Sequence, residues 1–260
     1  MHGDYATIKA KYIVKREAMR TLIIIPAYNE AENIEKVVDN IIQNFPQYDY
    51  IVVNDGSSDA TRDVCRERGY QYLNLSINLG IGGAVQTGYK YAKDKGYDVA
   101  VQIDGDGQHD IAYLKDMLSV LEKDEADIVI GSRFIDKEGF QSSAARRVGI
   151  RILSVLIFVC TGCRVKDVTS GFRAVNKKFI DIYAKNYPMD YPEPEAIVSA
   201  VMYGGRIKEQ PVIMHEREKG NSSINLLKSV YYMIKVTLAI IVCRISFGVR
   251  RDPSYKKHTV

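Results

Sequence analysis

The sequence predicts an α/β fold with a mostly parallel sheet and helices on both faces. Short apolar runs alternate, through the first half of the chain, with longer segments whose apolar residues recur at helical spacing. Because successive parallel strands need a crossover helix between them, this alternation favours a parallel sheet covered on both sides. The chain has 260 residues, 46% hydrophobic and 26% charged. Such a composition is that of a globular protein and excludes a disordered or fibrous one.

Five strands are predicted in the first half. Each is a short apolar run that ends at a proline, a glycine or a polar turn. These runs lie at 21–25, 50–53, 70–75, 98–103 and 127–131.

Helices are predicted between these strands. Residues 30–44 carry isoleucine and valine at helical spacing, and further helices end near residue 68 and span about 110–122. A glycine-rich loop at 78–83 opens a helix that runs to about residue 95.

The second half is less regular. Residues 144–160 begin basic and become very apolar, and a loop with the sequence D-V-T-S-G-F-R follows at 167–173. A helix is predicted at 193–203, a strand at 206–214 and a long apolar helix at 223–247. We therefore divide the chain into an N-terminal extension at 1–20, a main domain at 21–222, and an apolar interfacial helix with a basic tail at 223–260.

Four polar or glycine-rich loops follow the predicted strands. They read P-A-Y-N-E at 26–30, N-D-G-S-S-D at 54–59, N-L-G-I-G-G at 78–83 and D-G-D-G-Q-H at 104–109. In open α/β sheets ligands bind beyond the carboxyl ends of the strands, so these loops predict one site.

The last of these loops carries two carboxylates, Asp104 and Asp106. Acids this close repel each other unless a cation lies between them. Oxygen ligands suit Mn²⁺ or Mg²⁺, and phosphate oxygens often complete the coordination shell of these ions. Gln108 and His109 are near enough to add ligands to that shell. The alternative is a polar turn with solvated acids.

The other loops suit a nucleotide. Asp55 could accept a hydrogen bond from a base or a ribose hydroxyl, or it could serve the turn alone. Glu30 is either a nucleotide contact or an acid favoured by the first turn of its helix. Gly80 and Gly82 leave room for phosphate at a helix N-terminus.

Three of these segments carry a resemblance to a known family. I-I-I-P-A-Y-N-E, V-V-N-D-G-S-S-D and Q-I-D-G-D-G-Q-H, in this order, resemble the family 2 inverting glycosyltransferases with the GT-A fold, over about residues 20–225. Within that family, the chain is similar to dolichol-phosphate mannose synthases and bacterial polyprenyl-phosphate glycosyltransferases. That likeness rests on the segments at 131–134, 167–173, 209–212 and 217–223.

The resemblance implies a role for each matching position. Nucleotide binding is implied for Pro26, Ala27, Tyr28, Glu30, Asp55 and Asp104, beside the phosphate role expected of Gly80 and Gly82. Metal and diphosphate binding is implied for Asp104, Asp106 and Gln108. Acceptor-phosphate binding is implied for Arg133 and for one of Arg146 and Arg147, and Arg217 lies in a loop that can close over the donor diphosphate.

The chain departs from the synthases at residues 190–195, which read D-Y-P-E-P-E. Transfer to a hydroxyl needs a general base, for which Glu193 and Glu195 are the candidates. A lipid phosphate is already ionised and needs none, and both acids could instead serve the helix N-terminus. The acceptor is therefore a polyprenyl phosphate or, alternatively, a sugar hydroxyl of a lipid-linked or cell-wall glycan.

The segment 224–247 bears on the membrane. Lys228, Lys235 and Arg244 interrupt its apolar residues, so an interfacial helix is favoured over a spanning one. Packing in the core, a homodimer or a small membrane-protein partner are alternatives. Residues 1–20 lack the apolar core of a signal peptide, and we expect a cytoplasmic enzyme at the inner membrane face.

The remaining alternatives concern the reaction and the ligands. A sugar nucleotidyltransferase should carry a glycine-rich loop ending in a basic residue after its first strand, where this chain has P-A-Y-N-E. A non-catalytic nucleotide-sugar sensor should lose an acid of the metal loop, yet both are present. Donors carrying UDP, GDP or dTDP all remain open, and a nucleic-acid partner is not expected.

Overall fold

The computed structural model describes residues 19–141, 143–215 and 226–250, with side chains in the last helix described at 233–246. Most of the predicted N-terminal extension, Arg217 and the basic tail after residue 250 lie outside the described residues. The described chain forms one seven-stranded sheet with helices on both faces. The α/β prediction is therefore confirmed.

The sheet has the strand order β3-β2-β1-β4-β6-β5-β7. All neighbouring strands run parallel except β6, which is antiparallel to both β4 and β5. The strands are β1 Thr21–Ala27, β2 Asp49–Asn54, β3 Tyr72–Asn74, β4 Val99–Gln102, β5 Ile128–Ser132, β6 Arg173–Asn176 and β7 Ile207–Pro211.

Eight α-helices are described. They are α1 Ile34–Asn44, α2 Thr61–Glu67, α3 Gly80–Asp94, α4 Leu114–Glu122, α5 Ala144–Thr161, α6 Lys177–Lys185, α7 Pro192–Met202 and α8 Leu226–Arg250. A 3-10 turn at Ile111–Tyr113 precedes α4.

Strand β1 explains why both faces of the sheet are covered. All seven of its residues are buried. Leu22 and Ile24 belong to the core that includes residues of α3, α5, α6, α7 and α8, whereas Ile23 and Ile25 belong to the core beneath α1 and α4. A strand whose successive side chains enter opposite cores must be apolar throughout, which is the pattern the sequence shows.

The second half departs from its predicted elements. The loop predicted at 167–173 ends one residue earlier, because Arg173 already pairs with Gln102 of β4 and Ile130 of β5 and begins β6. Helix α6 was also missed, although Phe179, Ile180 and Tyr183 are buried at helical spacing. Helix α3 begins at Gly80, so Gly82 and Gly83 lie in its first turn and not in a loop.

Helix α8 is amphipathic. Val236 and Ile240 are fully buried against the core, and the helix packs on α5 and α7. Ile234, Leu238 and Val242 are more than half exposed on the opposite side. Within the described ranges, no helix is long and apolar enough to cross a bilayer.

Candidate active site

A cleft of about 510 Å³ opens at the carboxyl ends of β1, β2 and β4. All four loops that the sequence singled out contribute to it, together with the first turn of α7. Its lining residues are Pro26, Ala27, Tyr28, Glu30, Asp55, Asn78, Gly80, Ile81, Ala84, Asp104, Gly105, Asp106 and Glu193. The fold thus brings together most of the residues for which the sequence predicts a nucleotide or a metal role.

Asn29 and Asp59 fasten the first two loops to each other. Asn29 takes a left-handed conformation, and its side-chain oxygen accepts a hydrogen bond from the Ser58 amide at 2.9 Å. Asp59 accepts from the Ala31 amide at 3.1 Å and from the Thr61 amide at 2.9 Å. This bracing fixes the loop that carries Tyr28, whose half-exposed ring lines the cleft.

Asp55 is almost fully buried at 2% exposure and lines the cleft. Its Oδ1 accepts a hydrogen bond from the Leu79 amide at 2.7 Å, just before α3. Gly56 permits this approach, since a Cβ there would lie 2.8 Å from the Asn78 amide nitrogen. The carboxylate therefore holds the turn and still faces the cleft, so the two interpretations of Asp55 are compatible.

His109 stabilises the acidic loop at 104–109 through contacts with Asp104 and Phe172. Its Nδ1 accepts a hydrogen bond from the Asp104 amide at 3.0 Å, and its ring stacks on Phe172 with centroids 5.3 Å apart. Because Nδ1 is the acceptor, the proton of the neutral ring is on Nε2, which lies 3.6 Å from Asp104 Oδ2. His109 thus orients Asp104, as a second layer of residues does around many metal ligands.

Gln108 does not line the cleft. Its side-chain amide donates a hydrogen bond to the backbone carbonyl of His215 at 3.2 Å, and its backbone carbonyl accepts one from the His215 amide at 2.9 Å. Gln108 thus joins the acidic loop to the segment after β7, and the metal role implied for it stays a prediction.

Asp104 and Asp106 remain as candidate metal ligands. Within the described part of the chain, no group of three histidine, cysteine or acidic side chains is placed to hold an ion by itself. Two carboxylates at the mouth of a nucleotide cleft fit a divalent cation whose shell is completed by phosphate oxygens and water.

Glu193 is the acid of α7 that reaches the cleft. Burial and the nearby Asp104 charge raise the pKa of its carboxyl to about 7, against the opposing influence of Arg173 and Arg146. Glu195 does not line the cleft, and burial together with Asp190 raises its pKa. Burial, and to a lesser extent the charge of Glu195, raises the pKa of the Cys243 thiol on α8.

Replacing Glu193 by glutamine should stabilise the protein at neutral and alkaline pH. The folded-state pKa of about 7 exceeds the ordinary value of 4.5, so ionisation costs stability between these two pH values and the loss is complete above pH 7. We expect the free energy of unfolding to rise by roughly 1 to 3 kcal/mol at pH 8 and to change little at pH 4. Thermal unfolding of both proteins at the two pH values measures this difference. A gain of equal size at both would contradict it.

The arginines implied to bind acceptor phosphate are placed differently from one another. Arg133 is buried outside the cleft, where its Nε and Nη2 each donate to the fully buried Asp167 carboxylate at 2.7 Å. Arg146 and Arg147 lie in the first turn of α5, and the charge of Arg146 reaches Glu193. The three arginines therefore do not form one cluster, and the acceptor roles implied for Arg133, Arg146 and Arg147 stay predictions.

Gly82, for which a nucleotide role is predicted, is packed against backbone. It is buried in α3 and does not line the cleft. A Cβ there would lie 2.2 Å from the Pro188 carbonyl oxygen and 2.4 Å from that of Met189. The missing side chain therefore serves the packing of α3 against the segment before α7, whereas Gly80 does line the cleft.

The sequence pattern does not single out Arg173. This residue begins β6, is 3% exposed and donates to the backbone carbonyl of Glu193 at 2.7 Å. In the sequence, Arg173 is the last residue of the segment D-V-T-S-G-F-R, and nothing there shows that its side chain points inwards.

The family model described as "Glycosyl transferase family 2" matches residues 22–183. The undecaprenyl-phosphate mannosyltransferase of Micrococcus luteus is 31% identical over 219 residues, which cover 80% of this chain and 88% of that one. The polyprenol monophosphomannose synthase of Mycolicibacterium smegmatis is 29% identical, with coverage of 81% and 83%.

Solved structures share the fold. Glucosyl-3-phosphoglycerate synthase from Mycobacterium tuberculosis, in complex with Mn²⁺, UDP and glucosyl-3-phosphoglycerate, superposes with a TM-score of 0.66. It is 19% identical, and the match covers 94% of this chain and 86% of that one. At this identity the likeness establishes the architecture of the sheet and its helices.

Proposed function

This chain belongs to glycosyltransferase family 2, and we propose that it transfers a sugar from a nucleoside-diphosphate donor to a polyprenyl phosphate with inversion at the anomeric carbon. The observation that carries the proposal is one cleft lined by Asp55, Asp104, Asp106 and Glu193. The family makes the chain a glycosyltransferase rather than a sugar nucleotidyltransferase. The names of its relatives, which refer to undecaprenyl phosphate and polyprenol, support the acceptor class.

The donor would lie along the carboxyl ends of β1, β2 and β4. Tyr28 and Asp55 offer an aromatic face and a hydrogen-bond acceptor to the base, and Gly80 leaves room at the N-terminus of α3. Asp104 and Asp106 would hold Mn²⁺ or Mg²⁺, which when bound offsets the charge of the diphosphate as the bond to the sugar breaks. UDP-sugars are the first donors to test, because several of the structural neighbours are complexes with UDP or UDP-glucose.

The acceptor phosphate would approach from the side of α5. One ionised oxygen attacks the anomeric carbon while the carbon–oxygen bond to the diphosphate breaks, so no proton needs to be removed. Arg146 and Arg147 lie in the first turn of α5, where the helix dipole adds to the attraction for an anion. Glu193 would position the sugar through its hydroxyls.

A second acceptor is supported by Glu193 itself. A carboxylate with a pKa near 7 is suited to take a proton from a sugar hydroxyl at neutral pH. Transfer to a lipid-linked glycan is therefore the alternative, and the two acceptors differ in whether this carboxylate is needed as a base.

The apolar outer faces of α5 and α8 support binding to a membrane surface. Val148, Ile152, Val155 and Val159 form an exposed stripe along α5, and α8, which packs beside it, exposes another. Contiguous apolar surface of this kind marks an interaction site. We propose that residues 21–222 are the catalytic domain and that α5 and α8 seat it on the cytoplasmic leaflet, where a lipid acceptor resides.

Introducing acids into both stripes should weaken vesicle binding. For Val155→Asp with Leu238→Asp we expect at least about a tenfold loss of binding to vesicles of phosphatidylethanolamine and phosphatidylglycerol, because the affinity of an interfacial helix rises with its buried apolar area and falls when acids face an anionic surface. Ile42→Asp, on the exposed face of α1, is the matched control. Co-sedimentation measures the effect. Unchanged binding of the double variant would point instead to a homodimer or a membrane-protein partner on this face.

The proposed reaction is tested by following labelled sugar into the organic phase. The purified protein is incubated with Mn²⁺, a panel of UDP, GDP and dTDP sugars, and a short polyprenyl phosphate. Label that depends on the lipid phosphate supports the proposal and identifies the donor. Release of diphosphate without labelled lipid would move the acceptor to a glycan hydroxyl.

A further inference from the structure

Arg173 is a buried cation held mainly by backbone. Its Nε donates to the Ser170 carbonyl at 2.8 Å, and its Nη2 donates to the Val168 carbonyl at 3.3 Å. Its Nη1 donates to the Glu193 carbonyl at 2.7 Å. Across residues 19–141 and 143–215, no carboxylate oxygen forms an ion pair with this guanidinium. Burying a charge without an ion-pair partner lowers the free energy of unfolding, so an apolar side chain of similar size at this position would give a more stable protein.

The segment that Arg173 organises touches the metal loop at two points. Gly171 lies against Asp104, since a Cβ on Gly171 would fall 2.7 Å from Oδ1 and 2.9 Å from Oδ2 of that carboxylate. Phe172 stacks on His109, whose Nδ1 accepts a hydrogen bond from the Asp104 amide. The same segment is joined to the first turn of α7 through Arg173 and the Glu193 carbonyl.

We propose that Arg173 is a positioning residue that, through the segment 169–173, sets the placement of Asp104 and Glu193 relative to each other. Three donors of one rigid fork bind two stretches of backbone that are 20 or more residues apart in sequence. One stretch carries Gly171 over Asp104, and the other carries Glu193. This inference rests on the proposed function, because it assigns Arg173 a task in placing the donor-binding and sugar-binding acids.

A purely structural arginine exists elsewhere for comparison. Arg206 precedes β7 and donates to Asp124 and Asp127, at the opposite end of the sheet from the cleft. Arg206→Lys therefore removes a similar fork of hydrogen bonds without touching the segment 169–173. Lysine keeps the positive charge in both variants but cannot bridge several carbonyls in one plane.

The test combines Arg173→Lys, Gly171→Ala and Arg206→Lys. For Arg173→Lys we expect kcat for sugar transfer to fall by about 10- to 100-fold, the usual effect of removing an outer-layer partner, with the donor KM within about threefold of wild type. Arg206→Lys should lower the melting temperature and leave kcat near the wild-type value. Equal loss of kcat in these two variants, or full activity of Arg173→Lys, overturns the proposal.

Gly171→Ala gives a reading that does not depend on turnover. The added methyl meets the end of the Asp104 side chain, so the carboxylate should shift while the fold persists. Titration calorimetry with UDP, GDP and dTDP first finds the nucleotide that the wild type binds. For that nucleotide we expect binding in Mn²⁺ to weaken about tenfold or more and binding without metal to stay the same.

If Gly171→Ala binds the nucleotide in Mn²⁺ as tightly as the wild type does, the positioning role proposed for the segment 169–173 is overturned. This measurement is also the test to use if Arg173→Lys does not fold. A wild-type protein that binds nucleotide but transfers no sugar would instead count against the proposed function. The binding result for Gly171→Ala would still report on the placement of Asp104 in that case.

Discussion

Replacing Asp106 by asparagine is expected to lower kcat/KM for sugar transfer by about 10²- to 10³-fold. Asp106 lines the cleft beside Asp104. Its Oδ1 accepts a hydrogen bond from the Gln108 amide at 3.1 Å, and this bond holds the carboxylate in place at the turn. Asparagine keeps the size and one oxygen but removes the charge that a divalent ion needs. The loss should appear mainly in kcat, because charge on the leaving diphosphate is greatest in the transition state.

Asp110→Asn is the matched control for this variant. Asp110 follows the same loop, where its Oδ1 accepts the Ala112 amide at 2.9 Å, and it does not line the cleft. Steady-state kinetics with varied Mn²⁺ compares the two. The assignment fails if both variants lose activity equally, or if Asp106→Asn transfers sugar at the wild-type rate.

Glutamine at Glu193 should lower kcat by about 10- to 100-fold, whereas glutamine at Glu195 should leave kcat within about threefold of wild type. Both acids belong to the first turn of α7, but only Glu193 lines the cleft. The pair therefore separates a role in the reaction from a role at the helix N-terminus. Each variant is measured with polyprenyl phosphate as acceptor and with saturating donor.

The size of the Glu193 effect also distinguishes the two acceptors. A positioning group costs less than a general base, whose removal costs up to about 10⁴-fold. A loss of that size, together with transfer to a glycan hydroxyl, would favour the alternative acceptor. Equal activity of the Glu193 and Glu195 variants would remove Glu193 from the site.

The site could be predicted from the sequence as far as strand ends determine it. Asp55 and Asp104 follow buried strands that run parallel, and parallel strands deliver their carboxyl ends to one edge of the sheet. The order of strands and loops along the chain is therefore enough to predict that these loops meet. Strand β1 is predictable for a similar reason, since its unbroken apolar run reflects burial on both faces.

Side-chain direction could not be predicted in this way. Gln108 is two residues from Asp106, yet its amide turns to the His215 carbonyl because the segment after β7 passes beside the loop. Arg133 turns to a buried carboxylate 34 residues away in sequence. Gly82 was predicted to lie beside phosphate, but its helix meets the backbone of Pro188. Each outcome depends on a partner distant in sequence, which local pattern does not reveal.

The chemical composition of the lipid product distinguishes transfer of a sugar from transfer of a sugar phosphate. Polyprenyl phosphate is incubated with the protein, Mn²⁺ and the active donor, and the extracted lipid is analysed by mass spectrometry, with Asp106→Asn as the control. We predict a lipid that gains one sugar residue and keeps a single phosphate, and that is absent with the variant. A lipid with two phosphates would show transfer of a sugar phosphate and would contradict the proposed reaction, as would an equal yield of product from Asp106→Asn.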